Sequence, residues 1–254
     1  MLKPRLTKIV EEVFAIGGNH QPAKDMELRE KLIDFLKEED HLILSDDDEN
    51  IRLAKDVIHF IDADRLLAKT MNNKEAYHHV KPFLERLLIS DSWHYDELRL
   101  LISSINFTEN IEQAINLAAK AEERIFEFKR FRSTDILDGY LALNMCARIL
   151  NAKYFDRDVK ISLAPQFTYW LNKLKYLVES NKELELALLI TKVRRDIFNR
   201  DESDIFTLCD DLIPRYDEKI GQMIRNEVDF YIEAGVFEKK KVVKEFELEN
   251  GGEE

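Results

Sequence analysis

Three acid-to-histidine steps are the first residues whose types and spacing could carry chemistry: Glu38 with His41, Asp56 with His59, and Glu75 with His78 followed by His79. Glu-x-x-His on paired helices is the ligand pattern of di-iron bundles, which needs two facing copies in mid-bundle and two further glutamates. Here His41 falls at an expected helix end and His78 stands beside Pro82 on a charged face. Histidines satisfied at the surface or in the core are therefore the simpler expectation, and no metal ligand is assigned.

Covalent or phosphate chemistry has no foothold either. The sequence contains no Gly-x-Gly-x-x-Gly, no phosphate loop and no Gly-x-Ser-x-Gly elbow. Ser103-Ser104 and Ser133 lack a base and an orienting group by any pattern of spacing. The expectation is a protein without catalytic residues and without a cofactor.

What remains is polar side chains at helical spacing inside apolar helices. Tyr140, Asn144, Arg148 and Asn151 follow one another at steps of four, four and three, opposite Leu141, Met145 and Ile149. Thr168, Asn172 and Lys175 form a similar stripe, with Phe167, Trp170 and Leu171 nearby, and Arg194-Arg195 follow on the next helix. Helical repeat proteins use such stripes along a concave face, where Asn amides bond the backbone of an extended peptide and Arg meets a carboxylate. A solvated face has the same composition, so both readings stay open.

The elements that must position these residues are helices almost throughout. Only 7 glycines and 5 prolines occur in 254 residues, and 45% of the residues are hydrophobic. Apolar residues recur at three and four positions, which predicts about eleven helices. The first runs from Pro4 to Gly17-Gly18, and the second follows Pro22. The third starts after the acids at 46–49, which suit a helix N-terminus. From residue 74 the helices fall into expected pairs, 74–89 with 93–106, 109–130 with 134–153, and 164–179 with 182–199. Small and aromatic repeat positions appear only in part, as Ala114, Ala118, Ala121 and Phe126, or Ala187 and Phe198. The fold class expected is all-α, a superhelical array of antiparallel helix pairs with degenerate tetratricopeptide-like repeats. The expected organisation is an acidic helical hairpin over 1–45, the repeat domain over 46–236 with a break at Pro214, and a charged tail over 237–254. In the stretch Ser90 to Leu100, Asp91 or Ser92 is the expected N-cap and Trp93 lies in the first turn, a ring placed to lock a helix crossing.

Charge and cysteine usage narrow the partners. Fifty acids against 38 bases give a formal net charge of −12, and the first fifty residues are acidic, so DNA binding by this chain alone is not expected. Cys146 and Cys209 each sit in an apolar helical pattern, which suits small core residues in a reducing cytoplasm. No apolar run approaches the ~20 residues that span a bilayer, so no membrane partner is expected. Phe230, Tyr231, Ile232, Val236 and Phe237 suggest an apolar end covered in a homodimer.

Trp93-x-x-x-Glu97-Leu98, after a polar turn and before an apolar helix, resembles the Trp-x-x-Tyr-Glu-Leu signature in the C-terminal regions of Rgg/MutR-type (Rgg/GadR/MutR) regulators. Asp96 stands where that family often has tyrosine. The likeness covers about residues 45–235. It implies a tetratricopeptide-like domain that dimerises and binds a short, mostly hydrophobic signalling peptide, as part of a quorum-sensing transcriptional regulator. The family's basic helix-turn-helix has no counterpart in the acidic first fifty residues, which suits an excised sensor domain or a relative lacking the DNA-binding half. The functional expectation is a non-enzymatic peptide sensor using Tyr140, Asn144, Arg148, Asn151, Asn172 and Lys175. A generic helical scaffold for a protein partner is the alternative, and a helical metalloenzyme the more distant one.

Overall fold

A computed structural model describes residues 3–16, 22–40, 48–70, 73–90, 93–131, 133–155, 163–199, 202–233, 235 and 237. Eleven α-helices occur among these residues, with no strand. The chain divides into two compact units, residues 1–132 and 133–254. The helices expected as a pair over 109–130 and 134–153 thus belong to different units.

The first unit holds α1 (Pro4–Ile16), α2 (Pro22–Asp40), α3 (Glu49–Thr70), α4 (Asn73–Ile89), α5 (Tyr95–Ser104) and α6 (Ile111–Phe128). Pro4 and Pro22 each occupy the first helical position, where a missing N–H costs nothing. Asp48 caps α3, its Oδ1 accepting from the backbone N–H of Asn50 at 2.7 Å. Asp48 and Glu49 thus stand at the N-terminus of α3, as the run at 46–49 suggested; 46 and 47 lie outside the described residues. Hydrogen bonding, first from the Asn50 side chain, lowers the pKa of Asp48.

Helix α3 packs most extensively on α4, burying Leu53, Ala54, Val57 and Ile61 against a face made by Ala76, Val80, Phe83, Leu84 and Leu87. These positions recur at three and four, the spacing that makes one apolar stripe. Arg29 of α2 reaches Asp62 of α3 through Nε at 2.7 Å and Nη2 at 3.1 Å, a two-pronged pairing that fixes their crossing. Pro82 lies inside α4 on its exposed face, where water can reach the carbonyl that its missing N–H leaves unbonded. Ala114, Ala118 and Ala121 of α6 are fully buried, whereas Phe126 is 65% exposed.

The second unit holds α7 (Asp135–Phe155), α8 (Leu163–Ser180), α9 (Glu185–Asn199), α10 (Glu202–Leu212) and α11 (Glu218–Glu233). Helix α7 is its centre: from Leu141 to Ala152 every side chain except Asn144 is buried. A helix apolar nearly all round belongs in a core. It packs against α8 and α9. A Cβ on Gly139 would lie 2.4 Å from Cδ2 of Leu184, so a larger residue there would have to displace the buried Leu184 side chain. The break expected at Pro214 is a 3-10 turn over Ile213–Arg215 between α10 and α11.

Of the apolar residues expected to form an uncovered end, Phe230 and Ile232 are half-buried. Tyr231 and Phe237 are buried, and the Tyr231 ring meets Phe198 of α9 edge-on at 5.2 Å. These two side chains belong to the core of the second unit; Val236 lies outside the described residues.

Candidate functional site

The corner between α4 and α5 in the first unit carries the Trp93 motif. Trp93 is buried and its Nε1 donates to the Leu87 carbonyl at 2.8 Å. The Arg124 guanidinium of α6 lies over its ring, 5.3 Å from the centroid. The helix starts later than the sequence suggested. His94 is the N-cap, and its backbone N–H donates to Glu97 Oε2 at 2.9 Å. A glutamate three residues into a helix reaches back to the cap, so Glu97 decides the start and places Trp93 just before the helix. Asp91 and Ser92 lie outside the described residues. Leu98 is fully buried.

Glu97 has a second partner. Arg86 of α4 donates from Nη1 to Glu97 Oε1 at 2.8 Å and from Nη2 to Asp56 of α3. Three helices thus meet on one guanidinium, and Trp93, Glu97 and Leu98 are corner residues of the fold. The carboxylate of the Asp56–His59 step is engaged by Arg86, while Glu75 and His78 are both exposed. His41 lies outside the described residues. Among the described residues no group of three or more His, Cys, Asp or Glu could hold a metal ion.

The polar stripe of α7 runs from surface to interior. Tyr140 is exposed, Asn144 half-buried, and Arg148 and Asn151 are buried, Arg148 with no exposed surface at all. On α8, Asn172 and Lys175 are exposed and lie together, Nζ to Oδ1 at 3.5 Å. Trp170 and Leu171, which stand near this stripe in the sequence, are core residues, and Lys173 lies beside the Trp170 ring. Asp138 of α7 pairs with Lys173 of α8 at 3.0 Å, one salt bridge between the two helices that carry the stripes.

A different surface has the shape of a binding site. Along α9 runs a groove of about 710 Å3. Its apolar wall comes from Val178 of α8, Leu186, Leu188 and Leu189 of α9, and Ile220 of α11. Leu186 is 37% exposed and its two leucine neighbours are half-buried. Charges of both signs stand at the rim. Lys182 pairs with Glu185 at 3.3 Å and Arg195 with Asp196 at 3.1 Å, while Lys192 has no ion-pair partner among the described residues. The groove offers apolar contact over two helical turns and one cation for an acidic group; it holds no nucleophile and base arranged for catalysis.

The sequence did hold a signal for this groove. Leu186, Leu188, Leu189, Ile190 and Val193 cover more of the α9 circumference than one core face needs, so part of that apolar surface had to look outward.

Neither cysteine lies in the groove. Cys146 is buried, and burial pushes its thiol up to about 12 despite the nearby Arg194. Cys209 is half-buried and raised for the same reason. No helix among the described residues is long and apolar enough to cross a membrane.

No family model matches the chain at a significant level, nor does any curated protein or solved structure.

Proposed function

We propose that this chain is a non-enzymatic ligand-sensing domain that holds a short peptide in the groove along α9. The observation that carries this is the groove itself. Its volume of about 710 Å3 falls inside the range of ~300–1,000 Å3 usual for ligand sites, and its wall is leucine-rich under a charged rim. Each methylene that a ligand buries there contributes about 0.8 kcal/mol, which favours apolar side chains. Lys192 suits a carboxylate, including a peptide's own C-terminus.

The Trp93-x-x-x-Glu97-Leu98 resemblance supports a wider setting, a quorum-sensing transcriptional regulator of Rgg/MutR type that works as a cytoplasmic homodimer. With a net charge of −12, this chain leaves DNA to another domain or subunit. Ligand binding would act by favouring one packing of the helices around α9 over another.

A second reading, a helical scaffold for a folded protein partner, is supported by the large apolar side chains Ile89 and Phe131, 85% and 84% exposed in the first unit. Native mass spectrometry of protein purified from its source organism separates the two. A bound mass of a few hundred to about a thousand daltons, on the order of a short peptide's size, supports the sensor. A folded protein held at fixed stoichiometry with no small mass supports the scaffold.

A further inference from the structure

We propose that Asp56, Arg86 and Glu97 form a proton-responsive site at the α4–α5 corner, with Asp56 as the group that takes up a proton as the pH falls below neutrality. The geometry sets up the imbalance. Two carboxylates from α3 and α5, 8% and 6% exposed, share the single guanidinium of Arg86. With both ionised, the cluster holds one negative charge in excess in a place that water barely reaches, and a proton removes it.

Position decides which carboxyl accepts that proton. Glu97 sits in the first turn of α5 and takes a backbone N–H bond from His94, so its carboxylate has a partner besides Arg86. Asp56 lies seven residues into α3, where the backbone N–H groups are engaged within the helix. Its charge is supported by Arg86 and, at longer range, by Arg52 of α3, and opposed by Glu97. Lys3, just before α1, is held by Glu39, and Arg29 of α2 by Asp62. His94 of the corner is turned to Glu49 at 3.1 Å. Burial therefore outweighs Arg86 and pushes the Asp56 carboxyl up to about 6.

The sign follows from linkage. A carboxyl that holds its proton more tightly folded than unfolded adds stability that is complete below the unfolded value, ~3.9, and lost as the pH rises through about 6. Acidification from pH 7.5 to 5 then strengthens the corner through Asp56. His59 works the other way, since burial lowers its pKa, so the effect has to be read against a variant that keeps His59.

Two measurements test this. In a carboxyl carbon-13 titration of the wild-type chain, Asp56 inflects near 6. In denaturant titrations at pH 7.5 and 5, the wild type gains about tenfold in its folding equilibrium constant relative to Asp56→Asn. An Asp56 inflection below about 4.5, a near-6 inflection on Glu97 instead, or a wild-type to variant difference independent of pH overturns the proposal. Should Asp56→Asn not fold, the carbon-13 titration of the wild type decides alone.

Discussion

The indole of Trp93 closes the α4–α5 corner by donating to the carbonyl of Leu87 at 2.8 Å, a group in the last turn of α4 that has no helical N–H ahead of it. The same carbonyl takes a longer bond from the Ser90 N–H at 3.3 Å. The ring itself is buried beneath Arg124. Trp93→Ala removes the apolar body and leaves a cavity, an expected loss of ~3–5 kcal/mol. Trp93→Phe keeps most of the body and loses the N–H, an expected ~1 kcal/mol. Chemical denaturation of both variants checks the ranking.

Gly139 and Leu184 give the second prediction. Gly139→Ala gains about 1 kcal/mol of helix propensity but drives a methyl to 2.4 Å from Leu184 Cδ2. The clash wins, with a net loss of ~1–3 kcal/mol, as for other overpacked cores. Leu184→Ala in the same chain relieves it, so the double variant is less destabilised than the sum of the singles. Thermal melts of the four proteins measure that coupling.

The two cysteines differ in a way a thiol reagent reads. Cys209 is half-buried and reacts in the native protein, slowly because its thiol is raised, while buried Cys146 reacts only on unfolding. Cys146 also sets an alkaline limit. Its thiol is held protonated in the folded state and ionises more readily in the unfolded one, so its contribution is complete below about pH 8.5 and lost as the pH rises toward 12. Cys146→Ala flattens the fall in melting temperature above pH 9.

How much of this was legible in the sequence depends on the kind of information each residue carries. Helix existence is local: the 3.6-residue period and the N-terminal prolines put α1 and α4 to α9 within a few residues of their places. The start of α5 was misplaced because Asp91, Ser92 and His94 can each precede a helix, and the bond from His94 N to Glu97 that chooses among them depends on a long side chain's rotamer. Arg148 looked like a surface residue because arginine usually is one. It is buried because α7 is enclosed by its neighbours, which no window along α7 can reveal. Tyr231 looked like part of an uncovered end for a related reason, since its partner Phe198 lies more than thirty residues earlier. The groove depends on the spacing of α8, α9 and α11, and only its excess of leucines showed in the chain.

The α8 stripe supplies a control. Asn172 is exposed and bonds Lys175 of its own helix, so Asn172→Ala should change stability by no more than ~0.5 kcal/mol. With the binding surface on α9, it should leave peptide affinity unchanged as well. Loss of affinity in Asn172→Ala would return the site to α8.

Calorimetry of the co-purified peptide, resynthesised and titrated into the wild type and Leu188→Glu, asks most directly whether the α9 groove holds the ligand. Leu188 lines the groove and is half-buried, so a carboxylate there spoils the apolar wall, and circular dichroism verifies that the helices remain. A peptide in this groove predicts a loss of tenfold or more in affinity, about 1.4 kcal/mol, at unchanged helicity. Equal affinity in the two proteins would contradict it and place the ligand elsewhere on the molecule.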